Sequence, residues 1–204
     1  MRGNSEGRSA WKLPLGLGLV AVVVAGVALI PAVASAEQES AAAHDHAAHV
    51  AGLESELAQV RRVTARFHRV EEAVAAGYEL GWVNGSGMRI ITGCVTNVAN
   101  PAAGAMGYHY FHPQLVADNA VDPLEPEALV YAPAPNGGLK LAAVEWVVRG
   151  PNTNPPGVSS PPSVLGMPMH ILVPAVGFYL KHAWVWMNNP AGMFADWNPE
   201  VSCG

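Results

Sequence analysis

From Leu53 onward the apolar positions fall at helical spacing. Leu53, Leu57, Val60, Val63, Phe67, Val70, Val74 and Tyr78 recur every three or four residues and lay one stripe along an α-helix. The opposite face mixes Arg61, Arg62, Arg66 and Arg69 with Glu54, Glu56, Glu71 and Glu72, as a solvated face does, and Gly77 is a plausible C-terminal stop. The pattern fits one helix, or two collinear ones broken near Phe67–His68.

After Gly81 the period changes. MRIITGCV, YHYFH (108–112), ALVYAP (128–133), LKLAAVEWVV (139–148) and FYLKHAWVWM (178–187) are rich in β-branched and aromatic residues and predict strands. Pro135-Asn136-Gly137-Gly138 between two of them predicts a hairpin, since Asn-Gly supplies the left-handed backbone a tight turn needs. Residues 150–169 hold six prolines, Pro151, Pro155, Pro156, Pro161, Pro162 and Pro168, and read as a loop, either disordered or functional as a lid. A helix followed by antiparallel hairpins predicts a single α+β domain over 51–204, with a cone-shaped α+β barrel as one fold that suits this order.

Upstream of the stripe, residues 37–50 (EQESAAAHDHAAHV) are polar and alanine-rich and read as a mobile tail. Leu13 to Ile30 is an uncharged apolar run, preceded by Arg2, Arg8 and Lys12 and followed by Pro31 and Ala34-Ser35-Ala36, which is the grammar of a secretory signal peptide over residues 1–36. No arginine pair precedes it, so the general secretory route to the periplasm or the exterior is expected. After cleavage no stable membrane association is expected; an uncleaved helix would instead anchor the chain.

Composition narrows the function classes. The formal charge is −5 and charged residues are 13% of the chain, against about 25% in typical domains. Loss of residues 1–36 removes three bases and one acid, so the exported chain is more acidic still and offers no basic surface for nucleic acid. Two cysteines, Cys94 and Cys203, in a chain bound for an oxidising compartment predict one disulfide; no CxxC spacing points to redox or metal chemistry at them.

The polar exceptions in the apolar strands are the candidate chemistry. Strand alternation sets Glu145 among Leu141, Ala143 and Val147, His182 among Phe178, Leu180, Trp184 and Trp186, and His109 beside Phe111. A carboxylate and an imidazole on apolar faces are costly unless partnered. Three readings stay open: a buried hydrogen bond that only fixes register; a metal site of His109, Glu145 and His182, suited to zinc, copper or non-haem iron; and acid–base catalysis by His182 with Glu145 in an aromatic pocket of Tyr108, Tyr110, Trp146 and Trp184. A small molecule or a metal ion is the expected partner. His44, His46 and His49, with Asp45 among them, form a second metal candidate in the tail, alongside the plainer reading of a solvated histidine-rich linker. No GxSxG, HExxH or Walker pattern is present.

The strings GYHY (107–110), VDPLEPEALVYAP (121–133), LAAVEWVV (141–148) and HAWVWMNNPAGMFADWNPEVSC (182–203) resemble a family of exported bacterial proteins. The resemblance spans about residues 60–203, implies export and these domain limits, and carries no reaction with it. In that pattern asparagine is usual at the position of His112, and the stretch before His170 differs, so neither histidine joins the candidate site.

Overall fold

The computed structural model describes residues 33–170 and 176–204. The chain divides into two units after Ala42, and apart from the start of the first helix every described element belongs to the unit Ala43–Gly204. The segment expected from the sequence to direct export lies, as far as residue 32, outside the described residues. Among the described residues no helix is long and apolar enough to cross a membrane.

The fold is α+β. Helix α1 (Val33–Thr64) is followed by a 3₁₀ turn (Ala65–His68) and a short helix α2 (Val70–Ala75). Residues 37–50 therefore belong to a helix, where the sequence suggested a tail; alanine, the strongest helix former, dominates this stretch. The apolar stripe is kept up to Phe67 and then slips. Leu57, Val60 and Phe67 are buried, but after the tighter 3₁₀ turn Ala73 takes the inward position and Val74 is 54% exposed. The break is held by the Tyr131 hydroxyl, which donates to the Phe67 carbonyl (2.7 Å), and by Thr64, whose hydroxyl accepts from the Trp186 indole (3.1 Å).

Among the described residues ten strands follow: β1 (Glu79–Leu80), β2 (Trp82–Val83), β3 (Arg89–Ile90), β4 (Val95–Thr96), β5 (Ala105–Phe111), β6 (Ala128–Pro133), β7 (Leu139–Arg149), β8 (Ser163–Val164), β9 (Met167–Pro168) and β10 (Phe178–Ala183). A second 3₁₀ turn (Pro101–Ala103) precedes β5, and helix α3 (Pro113–Asp118) follows it. The main sheet runs β1-β5-β6-β7-β10, all antiparallel, with β4 also on β5. The path is open among the described residues, so the cone-shaped barrel suggested by the element order does not form. The Asn136-Gly137 hairpin joins β6 to β7 as expected, with Gly137 at φ +80°. Residues 150–169 are less irregular than their prolines imply: β8 and β9 make a small hairpin whose turn residues, Leu165 and Gly166, both have positive φ. Pro168 is tolerated there because, among the described residues, this ribbon has two strands, each with a free edge.

One face of the sheet packs against the helices through Leu129, Tyr131, Val144, Trp146 and Val148. The other face carries two apolar clusters, one around Phe111, Ala128, Val147, Phe178 and Leu180, the other around Val130, Ala143, Trp184 and Val201. Covered on both sides, β6 and β7 are nearly continuous runs of apolar residues, which accounts for the low charge content. The C-terminal segment is tied back twice. Ala105 and Asn198 exchange backbone hydrogen bonds of 3.2 and 3.1 Å, and Cys94 is bonded to Cys203, the disulfide expected from the sequence.

Candidate metal centre

Glu145 on β7 and His182 on β10 are directly opposite each other in the antiparallel ladder. Opposed residues in such a pair point to the same face, so both side chains enter the surface away from the helices, at the seam of its two apolar clusters. His109 comes from β5, two strands from Glu145. Its opposite numbers are Val130 on β6 and, through it, Ala143 on β7. These residues, with Ala128, are small enough for the imidazole to lie over β6 and approach the carboxylate. The irregularity between Val130 and Tyr131 shifts the register at this point. Gly107, at φ +116°, lets β5 approach so closely that a Cβ there would collide with the Tyr131 carbonyl oxygen.

The three donors converge. His109 Nε2 lies 3.8 Å from Glu145 Oε2, and His182 Nδ1 lies 3.6 Å from Glu145 Oε1. Donor atoms of all three residues fall within 4.8 Å of one another, and every residue is buried. Neither contact is a hydrogen bond, for which about 2.7–3.2 Å is needed. Both ring nitrogens of His182, and Nδ1 of His109, have no hydrogen-bond partner among the described residues. Burial pushes the His109 imidazole down, against the pull of Glu145, and so keeps it neutral. Burial pushes the Glu145 carboxyl up, and the neighbouring imidazoles of His109 and His182 pull it down only to the extent that they carry a proton, which a neutral His109 does not. One carboxylate and imidazole lone pairs at this spacing make a ligand set: metal–nitrogen and metal–oxygen bonds of about 2.0–2.2 Å place ligands of one ion some 3–4 Å apart.

A cavity of about 190 Å³ opens onto this group, with His109 and Glu145 in its wall. The remaining lining is apolar, drawn from Met106, Phe111, Phe178, Leu180, Ile91 and Trp197 among others. Phe111 shares strand parity with His109, and Phe178 and Leu180 share it with His182, so this half of the wall is written in the alternation. Met106 joins them because the backbone at Gly107 departs from regular strand geometry. Ile91 and Trp197 come from irregular segments and carry no such signal. Ile91 is a β-branched residue at φ +58°, a conformation that costs an L-residue about 1–2 kcal/mol.

The aromatic residues expected to line a pocket divide between the two faces. Trp184 remains by the site, stacked on His182 with ring centroids 4.8 Å apart, its indole donating to the Ala195 carbonyl. Trp146 is one residue out of phase with Glu145 and is buried in the helix-side core; Tyr110 packs on Tyr131 in the same layer. Tyr108 has the parity of Tyr110, and none of these three lines the cavity. His44, His46 and His49 are exposed on α1, and among the described residues His109, Glu145 and His182 are the one group of three that brings ligand atoms together. His170, outside the candidate site on the sequence, bridges to Leu180 at the far side of β10 and sits 3.0 Å from Asp196. That places a half-exposed His–Asp pair on the strand edge beside the site.

In comparisons with family models, curated proteins and solved structures, nothing matches this chain.

Proposed function

We propose that the protein is an exported metal-binding protein that holds one divalent ion, zinc or copper, between His109, Glu145 and His182. The observation that supports this most is the convergence of three buried donors that do not satisfy one another. Buried polar groups without partners cost about 1–3 kcal/mol each, and sites that store such a cost are built for something that removes it. An ion about 2 Å from each donor would engage all three at once. Three protein ligands also leave a coordination position free, the arrangement of catalytic and ligand-exchanging metal sites and not of closed structural ones. Export is supported by the signal grammar of residues 1–36 and by the Cys94–Cys203 disulfide, which suits an oxidising compartment.

An enzyme is the second reading, favoured by the His170–Asp196 pair on the neighbouring strand edge, which could move a proton at the rim of the site. Elemental analysis of the full chain purified from an oxidising compartment tests the first reading. About one zinc or copper per chain after buffer exchange, retained when His44, His46 and His49 are changed to alanine and lost in His182→Ala, is the expected result. No retained metal, with no thermal shift on adding Zn(II) or Cu(II), refutes it and leaves the acid–base enzyme or a structural or interaction role in the cell envelope.

A further inference from the structure

The size and chemistry of the cavity beside the three donors restrict what it can hold. Resting on the metal reading above, we infer that the loaded site binds a compact apolar monoanion: a single carboxylate or phenolate oxygen on the ion, with a body about the size of one benzene ring in the pocket. Three observations carry this.

The first is charge. A divalent ion with one carboxylate, Glu145, and two imidazoles bound through neutral nitrogens leaves a single positive charge. Among the described residues no lysine, arginine or second acid lines the cavity. One further negative charge makes the assembly neutral, whereas a dianion such as phosphate would leave an uncompensated charge among apolar walls, at high cost.

The second is size. The cavity is about 190 Å³, and an apolar cavity of about 150 Å³ is known to hold benzene. One six-membered ring with a one-atom or two-atom head fits; a nucleotide or a disaccharide does not.

The third is the lining. Apart from His109, Glu145 and the Trp197 indole, no polar side chain among the described residues lines the cavity, so a polyol or a peptide would lose its hydrogen bonds to water without replacement. Phe111 and Phe178, with ring centroids 6.3 Å apart, and Leu180 present a surface for an aromatic or branched aliphatic body.

The test uses the full oxidised chain loaded with Co(II), whose visible spectrum reports ligand exchange at the ion. Benzoate, acetate and inorganic phosphate are the probes. Benzoate should perturb the cobalt bands and bind on the order of 30-fold more tightly than acetate, the gain expected from burying one ring. Phosphate at the same concentrations should leave the bands unchanged. Met106→Trp, which fills the cavity, should retain one cobalt per chain and lose at least ten-fold in benzoate affinity; Ile91→Trp makes the same test from the cavity's other wall if the first variant does not fold. Equal affinity for acetate and benzoate, stronger binding of phosphate, or benzoate binding that survives filling of the cavity or removal of the metal would overturn the inference while leaving metal binding intact. Failure to retain cobalt at all would instead remove the metal reading on which it stands.

Discussion

Replacing Glu145 by methionine distinguishes a metal centre from a structural ion pair, because the two give opposite signs in the metal-free protein. The carboxylate is buried, and its nearest imidazole nitrogens, at 3.6 and 3.8 Å, are beyond hydrogen-bonding range. His109 is kept neutral by burial and offers it little charge. In the metal-free state Glu145 therefore bears a desolvation cost with weak repayment. Methionine has similar length, no charge, and apolar neighbours to meet in Ala128 and Val147. The variant without metal should be more stable than the parent by about 1–2 kcal/mol. At about 2–4 °C per kcal/mol for a domain of this size, that is a rise in Tm of about 2–8 °C. With free zinc at a thousand times Kd the parent should gain about 4 kcal/mol, or about 8–16 °C, and the variant nothing. Differential scanning calorimetry of chelator-treated and zinc-loaded samples measures all four states. A loss of 3–5 kcal/mol in the metal-free variant, the behaviour of a satisfied buried pair that has been broken, or a zinc shift that persists in the variant, would refute the reasoning.

Three further outcomes are expected from the surrounding structure. Glu127 accepts a hydrogen bond from the Val147 amide (2.8 Å), extending the β6–β7 ladder; burial pushes its carboxyl up to about 8. Because the folded protein binds this proton more tightly than the unfolded chain, whose carboxyl titrates near 4.5, its contribution is complete below that pH and is lost as pH rises towards 8. Chemical denaturation between pH 5 and 8 should show stability falling by a few kcal/mol, and Glu127→Gln should flatten that slope. Reduction of Cys94–Cys203, which closes a separation of 109 residues, should cost about 4–5 kcal/mol in the chain-entropy account and, since Val95 lines the cavity, should weaken ligand binding before the domain unfolds. A preserved Tm in reductant, with the bond shown open by mass spectrometry, would contradict this. Gly107→Ala should destabilise by about 2–4 kcal/mol in a denaturant titration, because its Cβ would meet the Tyr131 carbonyl and its φ is strongly positive; the same change should reduce metal affinity through His109.

Much of the fold could be read in the chain because its signals are local. The Asn136-Gly137 turn specifies one hairpin, and the apolar stripe from Leu53 specifies the helix up to the point where Phe67 and His68 tighten into a 3₁₀ turn. The slip that brings Ala73 inward depends on that turn and is invisible to a fixed period. Glu145 and His182 are legible as same-face exceptions on two strands, and the ladder makes them direct partners. The approach of His109 is harder to see, since it crosses a strand and depends on Val130, Ala128 and Ala143 being small and on a register shift in β6. The aromatic pocket fails on a point the alternation already contains: Tyr108, Tyr110 and Trp146 are each one residue out of phase with the candidate donors. Ile91 and Trp197 reach the cavity through irregular backbone, for which no periodicity exists to read.

X-ray absorption at the zinc edge, on the zinc-loaded full chain, bears most directly on the proposed metal centre. A coordination shell at about 2.0–2.2 Å with the multiple-scattering signature of two imidazoles and one carboxylate oxygen, reduced to one imidazole in His182→Ala, is the predicted result. A shell of solvent oxygens without imidazole, or a three-imidazole shell that disappears when His44, His46 and His49 are replaced, would contradict it.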